Sequence, residues 1–361
     1  MQEQVKEKYY NPPIETKPRA ELVELQTKLL RSQIKYVFNY SRIEHRKFVD
    51  AGITVDTVKS LDDLKKVPTI TKEEIKEDIS KTKDPYGGTR CVPEDEPCAV
   101  SEFFDEFPPQ SEPLHHVLTR DDFLKMVEMF CRYCVMIGMR KGDRMMTQGV
   151  LDPTDIYIYP LQSINPLFSP SVTQIFGSLS LGLGVVMPRM LAPGVDGAKA
   201  FNWIKFFGCQ VLFISPELLR HIAVLAEAEG ISPKDMRVKI IVYPDHKELI
   251  KPSMRKELNE IWGAEVFGML CLPEAGLHAI DCREHRGLHV WEDMFIVEAV
   301  DPDSDEPVSR GETGKLTITN LFAKGTPLIR YKTDIDVELE DDTCGCGRTH
   351  VRLLSSTYRE G

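Results

Sequence analysis

The chain has 361 residues, 42% of them hydrophobic and 28% charged, with a formal net charge of −11. That balance suits a soluble globular protein of one large or two ordinary domains, able to bury a core without disulfide staples. The charge argues against broad binding to nucleic acid or acidic membrane, nine scattered cysteines argue against a secreted disulfide framework, and no apolar run nears the ~18 residues that span a bilayer.

The start, Met1-Gln2-Glu3-Gln4, is polar and charged, so no signal peptide is expected there and the expected compartment is the cytoplasm. Leu22, Leu25, Leu29, Ile34 and Val37 recur at helical spacing and predict one long helix over 20–50. Ser60-Leu61-Asp62-Asp63-Leu64 opens a short helix, and Thr71-Lys72-Glu73-Glu74 reads as a capping-box start. Residues 84–113, rich in Pro, Asp and Glu, read as a long loop, and Thr119-Arg120-Asp121-Asp122 caps a helix running to about Gly138.

Beyond that point helices alternate with short apolar strands. The segment 175–187 holds a Gly-punctuated apolar helix running into a strand, Val185-Val186-Met187. Strands are expected at 211–214, 239–243 and 264–267, with helices over 198–207, 217–229 and from Arg255 to Trp262. This order implies right-handed crossovers and a largely parallel sheet. After residue 287 strands at 290, 295–300, 314–319 and 337–339 follow one another through turns, which reads as a small antiparallel β subdomain. The boundaries expected are an α/β body over 1–286 and the β subdomain over 287–361.

Cys282-x₆-His289 and Cys344-x-Cys346 form the strongest metal signal, because thiolate and imidazole in a tetrahedral set suit Zn²⁺. Gly345 and Gly347 suit a tight turn presenting both sulfurs, and the expected role is structural. His285 is the alternative histidine, and free buried thiols beside a surface histidine are the alternative to a metal. The His115-His116 pair reads as one exposed and one packed residue, and Cys131 and Cys134 as core.

Several motifs, in order, resemble the phenylacetate–CoA ligase family of adenylate-forming enzymes. They are Leu-Cys-Leu-Pro-Glu-Ala-Gly at 270–276, Gly-Leu-His-Val-Trp-Glu-Asp at 287–293, Gly-Glu-Thr-Gly at 311–314, Pro-Leu-Ile-Arg-Tyr at 327–331 and the Glu248/Arg255 helix start. The resemblance runs from about residue 9 to 354. It implies the large N-terminal domain of an adenylate-forming enzyme: an α/β fold of two α/β subdomains plus a small antiparallel β subdomain. Such enzymes activate a carboxylic acid with ATP and Mg²⁺ and pass the acyl group to coenzyme A. The mobile C-terminal domain that normally follows is absent from this sequence, which is either a natural form or a shortened piece. The resemblance makes Glu274 the Mg²⁺-associated carboxylate. It puts Glu248, Asp334, Asp336 and Arg330 on the nucleotide side, and Tyr157, Tyr159, Phe176 and Ser215 around an acyl pocket. It also implies zinc at Cys282, His289, Cys344 and Cys346.

The departures from that family fall on the nucleotide. Its Ser/Thr/Gly phosphate loop aligns with Glu106-Phe107-Pro108-Pro109-Gln110-Ser111-Glu112-Pro113. A phosphate loop needs glycines that let backbone N–H groups point at phosphate oxygens. Here Pro108 and Pro109 remove two N–H donors, and Glu112 stands where the family has lysine. Leu270 replaces the aromatic that stacks on adenine, Pro273 replaces a threonine hydroxyl, and His246-Lys247 replaces two glycines. Ile335, between Asp334 and Asp336, takes the place of the ribose-binding aspartate. The expectation is a ligase homologue with a degraded ATP site, with ATP, Mg²⁺ and coenzyme A as cofactors only if activity survives. The alternative is a non-catalytic protein that binds an acyl ligand or a protein partner. A small carboxylic acid or acyl group is the expected ligand; nucleic acid and membrane are not expected partners.

Overall fold

The computed structural model describes residues 8–96, 98–103, 114–147, 156–159, 170–186, 197–245 and 252–354. A short helix α1 (Pro12–Glu15) leads into α2 (Arg19–Tyr40) and α3 (Arg42–Asp50). The single helix expected over 20–50 is therefore two. Ser41 adopts an extended backbone (φ −89°, ψ 116°), ends α2, and caps α3 by accepting the Glu44 N–H at 3.4 Å. Its hydroxyl also donates to the Gly88 carbonyl, so a tertiary contact fixes the break. Helix α4 (Lys72–Thr82) begins at the expected capping box: Thr71 Oγ1 and the Glu74 carboxylate each accept the other's backbone N–H, at 3.3 and 2.8 Å.

The stretch read as a loop over 84–113 contains β1 (Cys98–Phe103). It pairs antiparallel with β2 (Leu114–Leu118), which is followed by α5 (Arg120–Met136) and β3 (Arg144–Thr147). Its other edge pairs antiparallel with β4 (Ile156–Tyr159), giving a separate three-stranded sheet. Pro and acidic residues hid this strand, whose two partners both lie later in the sequence, β4 more than fifty residues on.

The chain continues through α6 (Pro170–Ser180), β5 (Gly184–Val186), α7 (Gly197–Phe207), β6 (Val211–Phe213), α8 (Pro216–Ala228), β7 (Ile240–Asp245), α9 (Pro252–Trp262) and β8 (Glu265–Leu272). Strands β5, β3, β6, β7 and β8 lie side by side and parallel. Alternation sorts their side chains. Leu212, Ile241 and Val266 pack with α7–α9, through residues such as Ile204, Ile222 and Trp262. Phe213, Val242 and Phe267 face the core shared with α5.

Next come β9 (Leu277–Asp281), β10 (Leu288–His289), β11 (Phe295–Val300), β12 (Gly314–Asn320), β13 (Tyr331–Glu340) and β14 (Arg352–Leu354). They are antiparallel, as the turn-rich texture after residue 287 implied, and they continue the same sheet from β8 through β9, β10, β14, β13 and β12 to β11. The opening helices pack on this antiparallel wing: Leu30, Ile34, Val37 and Phe48 meet Ile296, Leu321 and Ile329. Among the described residues, no helix is long and apolar enough to cross a membrane.

One buried acid marks that junction. Glu44 on α3 has no exposed surface; one carboxyl oxygen accepts the Ile329 N–H at 3.0 Å, and the other has no partner among the described residues. Burial raises its pKa from 4.5 to about 8, so it is folded in as the neutral acid. A raised folded pKa contributes stability that is complete below the unfolded value and lost as pH climbs through the folded one. Stability should therefore fall between pH 4.5 and about 8 by roughly 1.4 kcal/mol per pH unit from this group. Urea melts across that range should show this slope, and Glu44→Gln should flatten it.

Candidate functional site

Two features stand out: a cluster of thiols and imidazole at the antiparallel wing, and the turn between β8 and β9. Cys282 directly follows β9, His289 ends β10, and Cys344 and Cys346 lie on the turn between β13 and β14. β10 pairs with both β9 and β14, which draws the segments together. All four residues are buried, and their ligand atoms lie within 4.8 Å of one another. Cys282 Sγ and Cys344 Sγ are 3.7 Å apart, and Cys346 Sγ is 3.6 Å from His289 Nε2.

A tetrahedral ion with metal–sulfur and metal–nitrogen bonds of ~2.3 and ~2.05 Å requires edges of ~3.75 and ~3.55 Å. The donor set and its spacing therefore fit zinc. Burial lowers the pKa of His289, which leaves a neutral ring with a lone pair for a metal. Hydrogen bonds from Cys282 and Cys344 hold the Cys346 thiol far below its usual value, while hydrogen bonds to Cys344 and Cys346 push Cys282 up. His285 is not part of this set: its Nδ1 sits 2.9 Å from Asp281 Oδ1.

The opening segment straps this knuckle. The Tyr9 hydroxyl donates to the Cys346 carbonyl at 3.1 Å. Arg348 and Glu15, both buried, pair at 2.7 Å. The His350 ring accepts the Glu292 N–H at Nδ1, so its Nε2–H donates to the Ile14 carbonyl; burial lowers its pKa to about 4 and keeps it neutral. Gly347 turns the chain at φ +86°, and a Cβ there would sit 2.3 Å from the Tyr9 hydroxyl oxygen.

The β8–β9 turn carries the carboxylate singled out in the sequence. Pro273–Ala275 forms a single 3-10 turn closed by Gly276 at φ +63°. Glu274 Oε1 accepts from the Tyr331 hydroxyl at 3.2 Å and lies 3.9 Å from Lys72 Nζ at the start of α4. The turn is pinned from behind: buried His116 donates through Nδ1 to the Pro273 carbonyl at 3.0 Å, and Asn320 donates to the Ala275 carbonyl at 3.2 Å. Leu270 is fully buried in β8, between Asp245 of β7 and Ala279 of β9. Lys72, Tyr331 and His116 were not among the candidate site residues. Only their proximity in the fold links them to Glu274.

The other candidates are dispersed. Arg330 is a buried post: it pairs with Glu298 at 3.1 Å and donates to the carbonyls of Lys65, Val67 and Asp305. Every arm of the guanidinium is thus engaged by protein. Asp334 and Asp336 lie on the exposed face of β13, with Lys315 bonded to the Asp334 carbonyl and the Asp336 carboxylate, while Ile335 points inward. Tyr157 and Tyr159 lie on β4 opposite Val100 and Cys98. Phe176 on α6 is 46% exposed and packs edge-on against Phe123, and Ser215 caps α8. The phosphate-loop stretch 106–113, His246, Lys247 and Glu248 lie outside the described residues.

Gly347→Ala should strain a left-handed turn by about 1–2 kcal/mol and collide with Tyr9. Limited proteolysis should then cut the 8–19 segment sooner than in the wild type, with the rest of the chain resisting.

No family model matches the chain. The phenylacetate–coenzyme A ligase of Thermus thermophilus is 27% identical over 347 residues, spanning 95% of this chain and 72% of that protein. The Escherichia coli protein of the same name is 26% identical over 326 residues, 89% of this chain and 68% of its own length. A solved 2-hydroxyisobutyryl-CoA ligase in complex with 2-HIB-AMP and CoA superposes with a TM-score of 0.82 at 22% identity, covering 96% of this chain and 76% of that one. In sequence the chain is a homologue of the phenylacetate–coenzyme A ligases, and its fold is that of the adenylate-forming CoA ligases.

Proposed function

We propose that this protein is a homologue of AMP-forming acid–coenzyme A ligases that keeps the body for an acyl ligand but no longer carries out the ATP-dependent half-reaction. The observation that carries this reading is the Leu270–Glu274 turn. Leu270 is buried and offers no ring for an adenine to stack on, Pro273 offers no hydroxyl, and Glu274 is already engaged by Tyr331 and Lys72. The composition of 106–113 supports the same conclusion. Three prolines without N–H groups and two glutamates cannot replace a glycine-rich cradle, and a carboxylate beside a triphosphate is repulsive.

The ligand class follows from the relatives' names: a small carboxylic acid or its acyl derivative. Cys282, His289, Cys344 and Cys346 would hold a structural zinc, which ties the β13–β14 turn to β9 and β10 and takes no part in the chemistry. A second reading, a working ligase, is favoured by one observation. Glu274 keeps a carboxylate at the turn with a cation, Lys72, beside it, a pair that could manage a divalent ion and phosphate charge.

Exchange of labelled pyrophosphate into ATP, with phenylacetate and with 2-hydroxyisobutyrate, separates the two readings. The proposal expects no acid-dependent exchange above background. Exchange that Glu274→Gln abolishes would establish the ligase instead. Metal analysis of the same purified protein should find about one zinc per chain. Cys344→Ser should lose it and cost roughly 3 kcal/mol or more in unfolding free energy.

A further inference from the structure

The N-terminal ends of the parallel strands carry a feature that neither the metal knuckle nor the Glu274 turn uses. Helix α7 ends in Phe206-Phe207. Phe206 is 81% exposed and Phe207 39%. Their rings meet edge-on at 4.9 Å, and Trp203, one turn earlier, meets Phe207 at 5.5 Å. Among the described residues the Phe206 ring meets Phe207 and otherwise stands four-fifths clear of the protein.

The surroundings of this aromatic tip are cationic. The turn that follows it is sewn between two strand starts. Arg144 Nε donates to the Gly208 carbonyl at 3.2 Å, the Arg144 and Gln210 backbones bond at 2.9 Å, and the Lys239 N–H donates to the Gln210 carbonyl at 2.8 Å. Arg144 and Lys239 therefore flank the tip, with Lys205 on the helix itself. Arg140 and Lys141, on the turn before β3, are exposed, as are Lys234 and Arg237 before β7. The acids in these same loops are fewer, and two are already paired: Asp143 with Lys239 at 3.3 Å and Glu229 with Lys205 at 3.2 Å.

The negative ends of α7, α8 and α9 help to gather cations here. They do not account for the aromatic pair. In a chain of net charge −11 this end has the opposite sign, and screening over about 8 Å lets a local collar act independently of the total.

We propose that this end of the sheet docks on an anionic lipid surface. Phe206 and Phe207 enter the headgroup region while the exposed Arg140, Lys141 and Arg144 meet the lipid phosphates. A protruding apolar wedge ringed by long cationic side chains is the chemistry of interfacial binding. A protein partner is the less apt occupant, because binding hot spots sit in packed, recessed surroundings rather than at a free-standing tip.

Vesicle flotation of the purified chain tests the proposal, with phosphatidylcholine alone and mixed with phosphatidylglycerol. The chain should float with the mixed vesicles at low salt, stay behind with phosphatidylcholine alone, and be released by added salt. Phe206→Ser, a change at an exposed position, should leave the melting curve intact and weaken flotation about tenfold. Absence of flotation at low salt, or flotation unaffected by Phe206→Ser, would overturn the proposal. So would a change of oligomeric state in light scattering on Phe206→Ser, which would assign the tip to self-association.

Discussion

Three thiols and one imidazole, at Cys282, His289, Cys344 and Cys346, converge within 4.8 Å in the interior of the antiparallel wing. Without a metal such a cluster is a set of buried polar groups with little to gain from one another. With one it is a rivet, since its binding free energy becomes folding free energy. The neighbouring contacts are built on this knuckle. The β13–β14 turn presents the Cys346 carbonyl to Tyr9, and Arg348, two residues on, reaches Glu15. The opening segment lies on the knuckle, and helices α2 and α3 lead from it across the wing.

The buried ions nearby serve geometry more than net stability. Arg348–Glu15 and Arg330–Glu298 each place a guanidinium in the interior with a carboxylate and backbone carbonyls around it. Such pairs cost desolvation that their attraction only roughly repays, but losing one partner strands the other charge. Arg330 ties the 3-10 turn at Leu61–Lys66 and the Asp305 loop to the start of β13, next to the backbone bridge between Ile70 and Tyr331. Tyr331 then reaches Glu274 from a fixed base, and Lys72, two residues past Ile70, arrives at the same carboxylate. The carboxylate of the turn is thus supplied with partners from the protein itself.

Local signals were legible in the sequence and non-local ones were not. The capping boxes at Thr71 and Thr119 involve residues three apart, and the parallel strands are short apolar runs between helices, so both could be read directly. The four metal-type residues were legible through chemistry, because few other uses put two cysteines on one glycine turn. The break at Ser41 depends on Gly88, and the strand inside 84–113 depends on pairing to both β2 and β4. Neither partner is visible in a local window. The surroundings of Arg330 were hidden for the same reason: its place in a motif says nothing of the carbonyls that surround it. His116, Lys72 and Tyr331 join Glu274 only once the three-stranded sheet, α4 and β13 are folded against the β8–β9 turn.

The central claim is that this fold persists without a working nucleotide site. Isothermal titration of Mg–ATP and of AMP into metal-loaded protein tests it most directly, because it requires neither the right acid nor catalysis. The expected result is no saturable heat with either nucleotide up to millimolar concentration. Saturable binding of either one, weakened by substitution of Lys72 or Glu274, would contradict the account and restore the β8–β9 turn as a nucleotide site.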